Sequence, residues 1–140
     1  MRSGIYLDTS AWFGVLSERE PRHGQLRGAY HELIGRGERL VTTNLVVAEM
    51  HGLLLRRLGR DVALDYLDTL STEATHHVRF VDRQMATAAI DRWIRPFRDQ
   101  RFSLCDAVSF ELMRQEGIRT AFALDRHFAT AGFGMVPADR

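Results

Sequence analysis

The most conspicuous absence in this 140-residue sequence is lysine, since all 19 basic residues are arginine. Functions that depend on a lysine side chain are therefore excluded, among them a Walker A phosphate loop, a Schiff-base enzyme and a phospho-receiver domain with its usual lysine. The 18 acidic residues nearly balance the arginines. The formal net charge of +1 gives no sign of a strongly acidic or basic partner.

Cysteine and long apolar stretches are also scarce. Cys105 is the single cysteine, which excludes an intramolecular disulfide and a cysteine-based zinc cluster. No stretch approaches the roughly 18 consecutive apolar residues that suggest a membrane-spanning helix, and the first residues lack the apolar run of a signal peptide. With 45% apolar and 26% charged residues, the composition is globular rather than disordered. We expect a cytoplasmic protein with no membrane partner.

Short apolar runs alternate with longer helix-like segments. Strands are predicted at 5–7, 39–42, 77–81, 120–124 and 135–136, and helices fill the intervals between them, including one at 104–116. Strands separated by helices pair in parallel through crossover connections. We therefore predict an α/β fold, a three-layer α/β/α sandwich around a mostly parallel sheet of four to five strands, as a single domain over residues 1–140. Sites in such sheets lie at the carboxyl ends of the strands.

Four acidic residues occupy positions that favour a shared site. Asp8 follows the first predicted strand and Asp125 the fourth, so both belong to the same edge of a parallel sheet. Asp106 opens a predicted helix. Glu49 lies among apolar residues, and we expect its helix to be largely buried. Each acid also has a structural interpretation: Asp8 and Asp125 as helix N-caps, Asp106 as part of a capping box with Ser103, and Glu49 in an ion pair with an arginine.

Together the four acids predict a cation site. Carboxylates about 4 Å apart repel each other by ~4 kcal/mol per pair at an effective dielectric constant of about 20, so such a cluster needs a cation or bound protons. Oxygen ligands, with no cysteine or histidine in the same motifs, favour Mg²⁺ or Mn²⁺ over zinc. A Mg²⁺ held by carboxylates suits phosphodiester chemistry, because it activates water and neutralises charge on the phosphate. Whether one or two ions bind stays open.

The segments that carry these acids resemble the PIN-domain nucleases, in particular the VapC-type ribonuclease toxins of toxin–antitoxin pairs. The matching segments are YLDTSA at 6–11, TTNLVVAE at 42–49, SLCDAVSF at 103–110 and ALDRHFATAGF at 123–133, and the resemblance runs from about residue 5 to residue 137. It implies that Asp8, Glu49, Asp106 and Asp125 form the catalytic acidic metal site. Asp8 and Asp106 would be the firmest direct ligands, and Ser10 would be an auxiliary hydroxyl that bonds a ligand or phosphate.

The resemblance also implies an activity. The chain would be a Mg²⁺-dependent endoribonuclease, with Mn²⁺ able to substitute, and the toxin of a toxin–antitoxin pair. Its partners would be RNA, a second copy of itself, and a cognate antitoxin lying across a groove. Trp12 and Phe13, next to the first acid, are expected to pack in the core, with a role in that groove as the alternative. Two alternatives remain: a PIN nuclease of RNA processing without a toxin role, and a non-catalytic PIN-like binding module. A haloacid-dehalogenase-like phosphatase would need an aspartate at position 10, which is Ser10.

Arginine and histidine side chains near the acidic motifs complete the candidates. Arg95, Arg98 and Arg101 precede the Asp106 helix, and the guanidinium group can hold phosphate with two hydrogen bonds. We expect these arginines to contact RNA phosphates, with a solvated surface as the alternative. The histidines, including His127 two residues after Asp125, are expected to lie on the surface or to cap strands rather than to bind metal.

Overall fold

A computed structural model describes residues 3–138 and contains one sheet of five strands. The strands are β1 (Ile5–Leu7), β2 (Leu40–Thr43), β3 (His76–Arg79), β4 (Thr120–Phe122) and β5 (Gly134–Val136). They pair in the order β3-β2-β1-β4-β5, and every pairing is parallel. The predicted fold class is confirmed, and the sheet is parallel throughout the described part of the chain.

Helices fill the connections between the strands. They are α1 (Thr9–Leu16), α2 (His23–Gly35), α3 (Asn44–Leu58), α4 (Arg60–Thr72), α5 (Arg83–Ala89), α6 (Leu104–Glu116) and α7 (His127–Thr130). Helix α5 continues into a π-helical turn, Ile90–Ile94. Helices α1 to α4 pack together in one layer, and α5, the π-helical turn, α6 and α7 form the other. None of the helices described here has the length and apolarity needed to cross a membrane.

The order of the strands reverses at β1. Strands β2 and β3 lie on one side of β1, and β4 and β5 lie on the other. The crevice beyond the carboxyl ends of β1 and β4 is therefore the topological switch point, where α/β proteins place their ligands. Asp8 directly follows β1, and Asp125 comes three residues after the end of β4.

The core connects the sheet to α6. Tyr6 in β1 and Phe110 in α6 are fully buried, and Phe110 meets Phe128 edge to face at 5.0 Å. The Tyr6 hydroxyl shares a 2.6 Å hydrogen bond with Ser109 Oγ. Gly117 ends α6 in the left-handed region at φ 69°, which favours glycine. These contacts fix α6 across the sheet, with its first turn at the site.

The third and fourth strands depart most from their predicted boundaries. The fourth strand ends at Phe122 rather than at residue 124, because the N–H groups of Leu124 and Asp125 donate to Ser10 Oγ instead of continuing the sheet. The third strand covers His76–Arg79 rather than 77–81. It is one of the two edge strands of the sheet, and its side chains are only half-buried.

Candidate active site

The four predicted acids reach one pocket at the carboxyl edge of the sheet. The pocket has a volume of about 360 Å³. Its walls are formed by acidic, hydroxyl, thiol and imidazole side chains: Asp8, Thr9, Ser10, Glu49, Ser103, Cys105, Asp106, Asp125 and His127. The acids come from four separate places in the chain, so the fold alone brings them together.

Asp8 is the most deeply buried of the four acids, with 7% of its surface exposed. It is the N-cap of α1, and its Oδ2 accepts hydrogen bonds from Ser10 N at 3.1 Å and Ser10 Oγ at 2.5 Å. The pKa of Asp8 is raised to about 6, mainly by burial and to a smaller extent by the nearby charges of Asp106 and Asp125, while the bonds from Ser10 oppose the shift. Without a cation, holding the ionised form of Asp8 in this pocket is costly.

The Ser10 hydroxyl links the first acid to the loop after β4. It donates to Asp8 Oδ2 and accepts from the backbone N–H groups of Leu124 at 2.9 Å and Asp125 at 3.1 Å. Its donor and acceptor capacity are both used within the protein. In this structure Ser10 therefore positions Asp8 against the Asp125 loop, rather than offering a free hydroxyl to a ligand.

Asp106 belongs to a capping box and to the pocket at the same time. Ser103 Oγ accepts from Asp106 N at 3.0 Å, and Asp106 Oδ2 accepts from Ser103 N at 3.0 Å. Aspartate thus fills the position that glutamate or glutamine usually takes in this motif. The cap holds the carboxylate in the first turn of α6, where the helix dipole favours negative charge.

Asp125 and His127 form a local turn beside Asp106. Asp125 Oδ1 accepts from His127 N at 2.9 Å, and His127 Nδ1 lies 3.1 Å from Asp106 Oδ2. One ligand atom from each of these three residues lies within 4.8 Å of the other two, a spacing that could hold a metal ion. His127, expected to lie on the surface or to cap a strand, has a side chain that is 33% exposed, and its ring also lines the pocket and bonds to a pocket acid.

Glu49 lies in the pocket wall, but its environment differs from the expected one. Its helix, α3, buries only Val46, Met50 and Leu54, which recur every fourth residue on one face. Glu49 falls outside this face and is exposed. It forms no ion pair with an arginine within residues 3–138. The expectations of a largely buried helix and of an arginine partner are both wrong.

The donor set fits a hard divalent cation. In Asp8, Asp106 and Asp125, one carboxylate oxygen accepts hydrogen bonds from the protein, while the other receives none from the described residues. Each acid is thus held by one oxygen and offers the other. Thr9 also lines the pocket, is 8% exposed, and has an Oγ1 with no partner in the described part. Oxygen ligands of this kind suit Mg²⁺ and Mn²⁺.

Cys105 lines the pocket without being a nucleophile at neutral pH. The pKa of its thiol is raised to about 12, mainly by burial and also by the carboxylates of Glu49, Asp8 and Asp106. Because the thiolate is the reactive form, this thiol is poorly reactive in the metal-free protein.

The three predicted RNA-contacting arginines lie outside the pocket. Arg95, Arg98 and Arg101 are exposed, and none of them lines the pocket wall. Arg95 pairs with Asp91 at 2.9 Å. A role in holding RNA phosphates stays a prediction.

Comparisons of this sequence with known proteins all point to one family. A family model described as the PIN domain matches residues 5–134. The chain is 30% identical over 129 residues to the 23S rRNA-specific endonuclease VapC20 of Mycobacterium tuberculosis, which covers 92% of this chain and 95% of that protein. It is 32% identical over 127 residues to the ribonuclease VapC26 of the same species, and this alignment covers 89% of this chain and 90% of that protein.

Solved structures agree with these matches. The crystal structure of M. tuberculosis VapC20, described as a sarcin–ricin loop cleaving toxin, aligns with a TM-score of 0.80 at 30% identity, over 93% of this chain and 96% of that one. The crystal structure of FitAcB from Neisseria gonorrhoeae aligns with a TM-score of 0.69 over 94% of this chain and 95% of that one. At 16% identity, the second match shows the fold alone.

Proposed function

We propose that this chain, which belongs to the PIN-domain family and is a homologue of the VapC ribonucleases, is a metal-dependent endoribonuclease that acts as the toxin of a toxin–antitoxin pair. The observation that carries the proposal is the meeting of Asp8, Glu49, Asp106 and Asp125 in one pocket at the switch point of the sheet. We assign the activity to residues 1–140 acting as a single nuclease domain in the cytoplasm.

The aspartates would hold Mg²⁺, with Mn²⁺ able to substitute. The free oxygens of Asp8, Asp106 and Asp125 would be the ligands, since their other oxygens are fixed by bonds within the protein. A bound Mg²⁺ supplies Lewis-acid stabilisation of the charge that builds on the phosphodiester and lowers the pKa of water. Glu49 lines the same pocket, is exposed and has no arginine partner in the described chain, so it would bind the ion directly or through a water molecule.

The substrate class follows from the relatives. VapC20 is named for cleavage of 23S rRNA and of the sarcin–ricin loop, and VapC26 is named a ribonuclease. We propose that this chain also cuts a structured RNA, with the sarcin–ricin loop as the first defined substrate to test. Arg95, Arg98 and Arg101 would contact RNA phosphates outside the pocket.

Two protein partners are proposed from the same relationship: a cognate antitoxin and a second copy of this chain. Trp12 and Phe13 are themselves buried, at 2% and 5% exposure, so they would support an antitoxin groove from beneath rather than form its surface. Light scattering of the purified chain tests the homodimer, and co-expression with any small gene found directly upstream of its own tests the antitoxin.

The nuclease is tested by incubating total cellular RNA with the purified protein in Mg²⁺, in Mn²⁺ and in chelator. Asp8→Asn and Asp106→Asn should cut no RNA, because each removes a charged ligand while leaving an oxygen for the cap. The matched control is Asp82→Asn: Asp82 caps α5 by accepting from Met85 N at 2.8 Å and does not line the pocket.

Three outcomes separate the candidate functions. Metal-dependent cutting that is lost in both pocket variants and kept in the control supports the nuclease, and sequencing the cut ends names the target. Cutting without growth arrest on expression favours an RNA-processing enzyme over a toxin. A folded, antitoxin-free protein that cuts no RNA under any condition would favour the binding module.

A further inference from the structure

We propose that His127 is a positioning residue of the acidic pocket: its imidazole and its backbone N–H hold Asp106 and Asp125 at the separation from which both can bind one metal ion. The inference rests on one part of the proposed function, the metal site, because it concerns the place where that ion would be held. The family resemblance drew attention to the four acids, whereas the contacts of His127 are visible only in the fold.

Two donors of His127 face two carboxylates from different elements. Nδ1 lies 3.1 Å from Asp106 Oδ2 on α6, and the backbone N lies 2.9 Å from Asp125 Oδ1 in the loop after β4. Because an ionised carboxylate only accepts hydrogen bonds, Nδ1 carries the hydrogen in this arrangement. One residue thus links two acids that are 19 positions apart in the sequence.

The position of Nδ1 offsets the repulsion between these acids. Besides its bond to Asp106, Nδ1 lies 3.6 Å from Asp125 Oδ1, so its N–H dipole lies close to both carboxylates. The same bonds occupy Oδ2 of Asp106 and Oδ1 of Asp125. The remaining oxygen of each acid has no donor from the described residues, which leaves it available to an ion.

Aromatic packing holds the ring of His127 in place. Phe102, 8% exposed, meets the imidazole edge to face at 5.2 Å and itself packs against Phe110 at 5.1 Å. The next residue, Phe128, is fully buried and anchors α7. A donor fixed in this way sets the orientation of its carboxylate partners, as hydrogen-bonding neighbours of metal ligands commonly do.

Substitutions at position 127 can test the role of the Nδ1 donor separately from the roles of the ring and of Nε2. His127→Asn places an amide N–H near the position of Nδ1, and His127→Gln places one nearer to Nε2. His127→Phe keeps the contact with Phe102 and removes both nitrogens. His31→Phe is the control, because His31 is exposed on α2 and does not line the pocket.

The measurement is the affinity of the metal-free full chain for Mn²⁺, by isothermal titration calorimetry, with the melting temperature of each variant as a test of folding. We expect His127→Phe to weaken Mn²⁺ binding by roughly 10- to 100-fold, the usual effect of removing a neighbour that orients a ligand. His127→Asn should restore an affinity close to that of the wild type, and His31→Phe should leave it unchanged.

Two results would overturn the inference. One is a folded His127→Phe variant that binds Mn²⁺ as tightly as the wild type. The other is restoration by His127→Gln but not by His127→Asn, which would assign the role to Nε2. If His127→Phe does not fold, the asparagine and glutamine variants decide. Cleavage of RNA by the wild type is a separate readout: binding that depends on His127 without any cleavage would refute the proposed function and leave this inference standing.

Discussion

Replacing Asp8 by asparagine should stabilise the metal-free protein at neutral pH, although it removes a proposed ligand. Asp8 is 7% exposed, and its pKa is raised from 3.8 to about 6, first by burial and then by the charges of Asp106 and Asp125. The hydrogen bonds from Ser10 oppose this shift without cancelling it. An ionised Asp8 therefore destabilises the fold unless a cation lies beside it.

The direction of the pH dependence follows from which state, folded or unfolded, binds the proton of Asp8 more tightly. The folded protein binds this proton more strongly than the unfolded chain, so the stability linked to it is fully present below about pH 3.8 and is lost as the pH rises through about 6. A shift of about two pKa units corresponds to about 3 kcal/mol. Asp8→Asn has no charge and keeps an oxygen that can accept from Ser10. Its stability gain should be near zero at acidic pH and about 1 to 3 kcal/mol at pH 8.

The assay is urea unfolding in chelator across this pH range, for the wild type, Asp8→Asn and Asp82→Asn. Asp82 is a matched control because it is an exposed N-cap outside the pocket. Adding Mg²⁺ or Mn²⁺ should then stabilise the wild type by binding its folded state, and this gain should be much smaller in Asp8→Asn. Adding metal is thus expected to narrow or reverse the difference in unfolding free energy between the wild type and Asp8→Asn.

Equal gains for Asp8→Asn at acidic and neutral pH would refute the reasoning, since a packing effect would not follow the charge of Asp8. A loss of stability at pH 8 would show that Ser10 requires the charged acceptor and that its bonds outweigh the burial of the charge. A similar gain in Asp82→Asn would assign the effect to the net charge of the protein rather than to the pocket.

Two further predictions concern groups buried elsewhere. Glu111 is 1% exposed and accepts from the buried Trp93 Nε1, while its two arginine partners are about half exposed. Glu111→Ala should therefore lower the unfolding free energy by about 1 to 3 kcal/mol, mainly because it leaves the Trp93 N–H without an acceptor. Glu32→Ala in an exposed ion pair should change it by less than about 1 kcal/mol, and equal losses in urea unfolding would contradict this. Tyr66 has a buried hydroxyl without a partner in the described chain, beside an apolar cavity of about 240 Å³, so Tyr66→Phe should stabilise by ~1 kcal/mol. Tyr6→Phe should destabilise the protein by ~1 kcal/mol, because it breaks the hydrogen bond to Ser109. Melting temperatures of Tyr66→Phe and Tyr6→Phe that shift in the same direction would refute this comparison.

Local signals determined how well each element could be predicted. Helix α6 begins after Ser103 and ends before Gly117, as predicted, because its cap and its stop are written in neighbouring residues. The end of β4 was not predictable in this way. The N–H groups of Leu124 and Asp125, just after the strand, bond to Ser10, more than 110 positions earlier in the chain, and no local pattern contains that contact.

The same distinction between local signals and long-range contacts explains which residues of the site could be predicted. The positions of Asp8 and Asp125 follow from the rule for parallel sheets, whereas the exposure of Glu49 depends on which face of α3 the sheet covers. The stripe of Val46, Met50 and Leu54 carried that signal, but the apolar residues around Glu49 obscured it. The contact of His127 with Asp106 spans 21 positions and depends on the path of the loop after β4, so spacing alone could not reveal it.

Capping and metal binding are not alternatives for these acids, because each carboxylate has two oxygens. Asp8 and Asp106 each use Oδ2 to satisfy backbone N–H groups at the start of α1 or α6, and this fixes the direction of the other oxygen. Helix α1 directly follows β1, and α6 leads back to the start of β4, so both helices begin at the carboxyl edge of the sheet, where ligands bind, and their first turns face the site. The positive ends of the two helix dipoles also favour negative charge there. The residues that start the helices can thus form an acidic pocket, which needs a cation mainly to offset the burial and mutual repulsion of its acids.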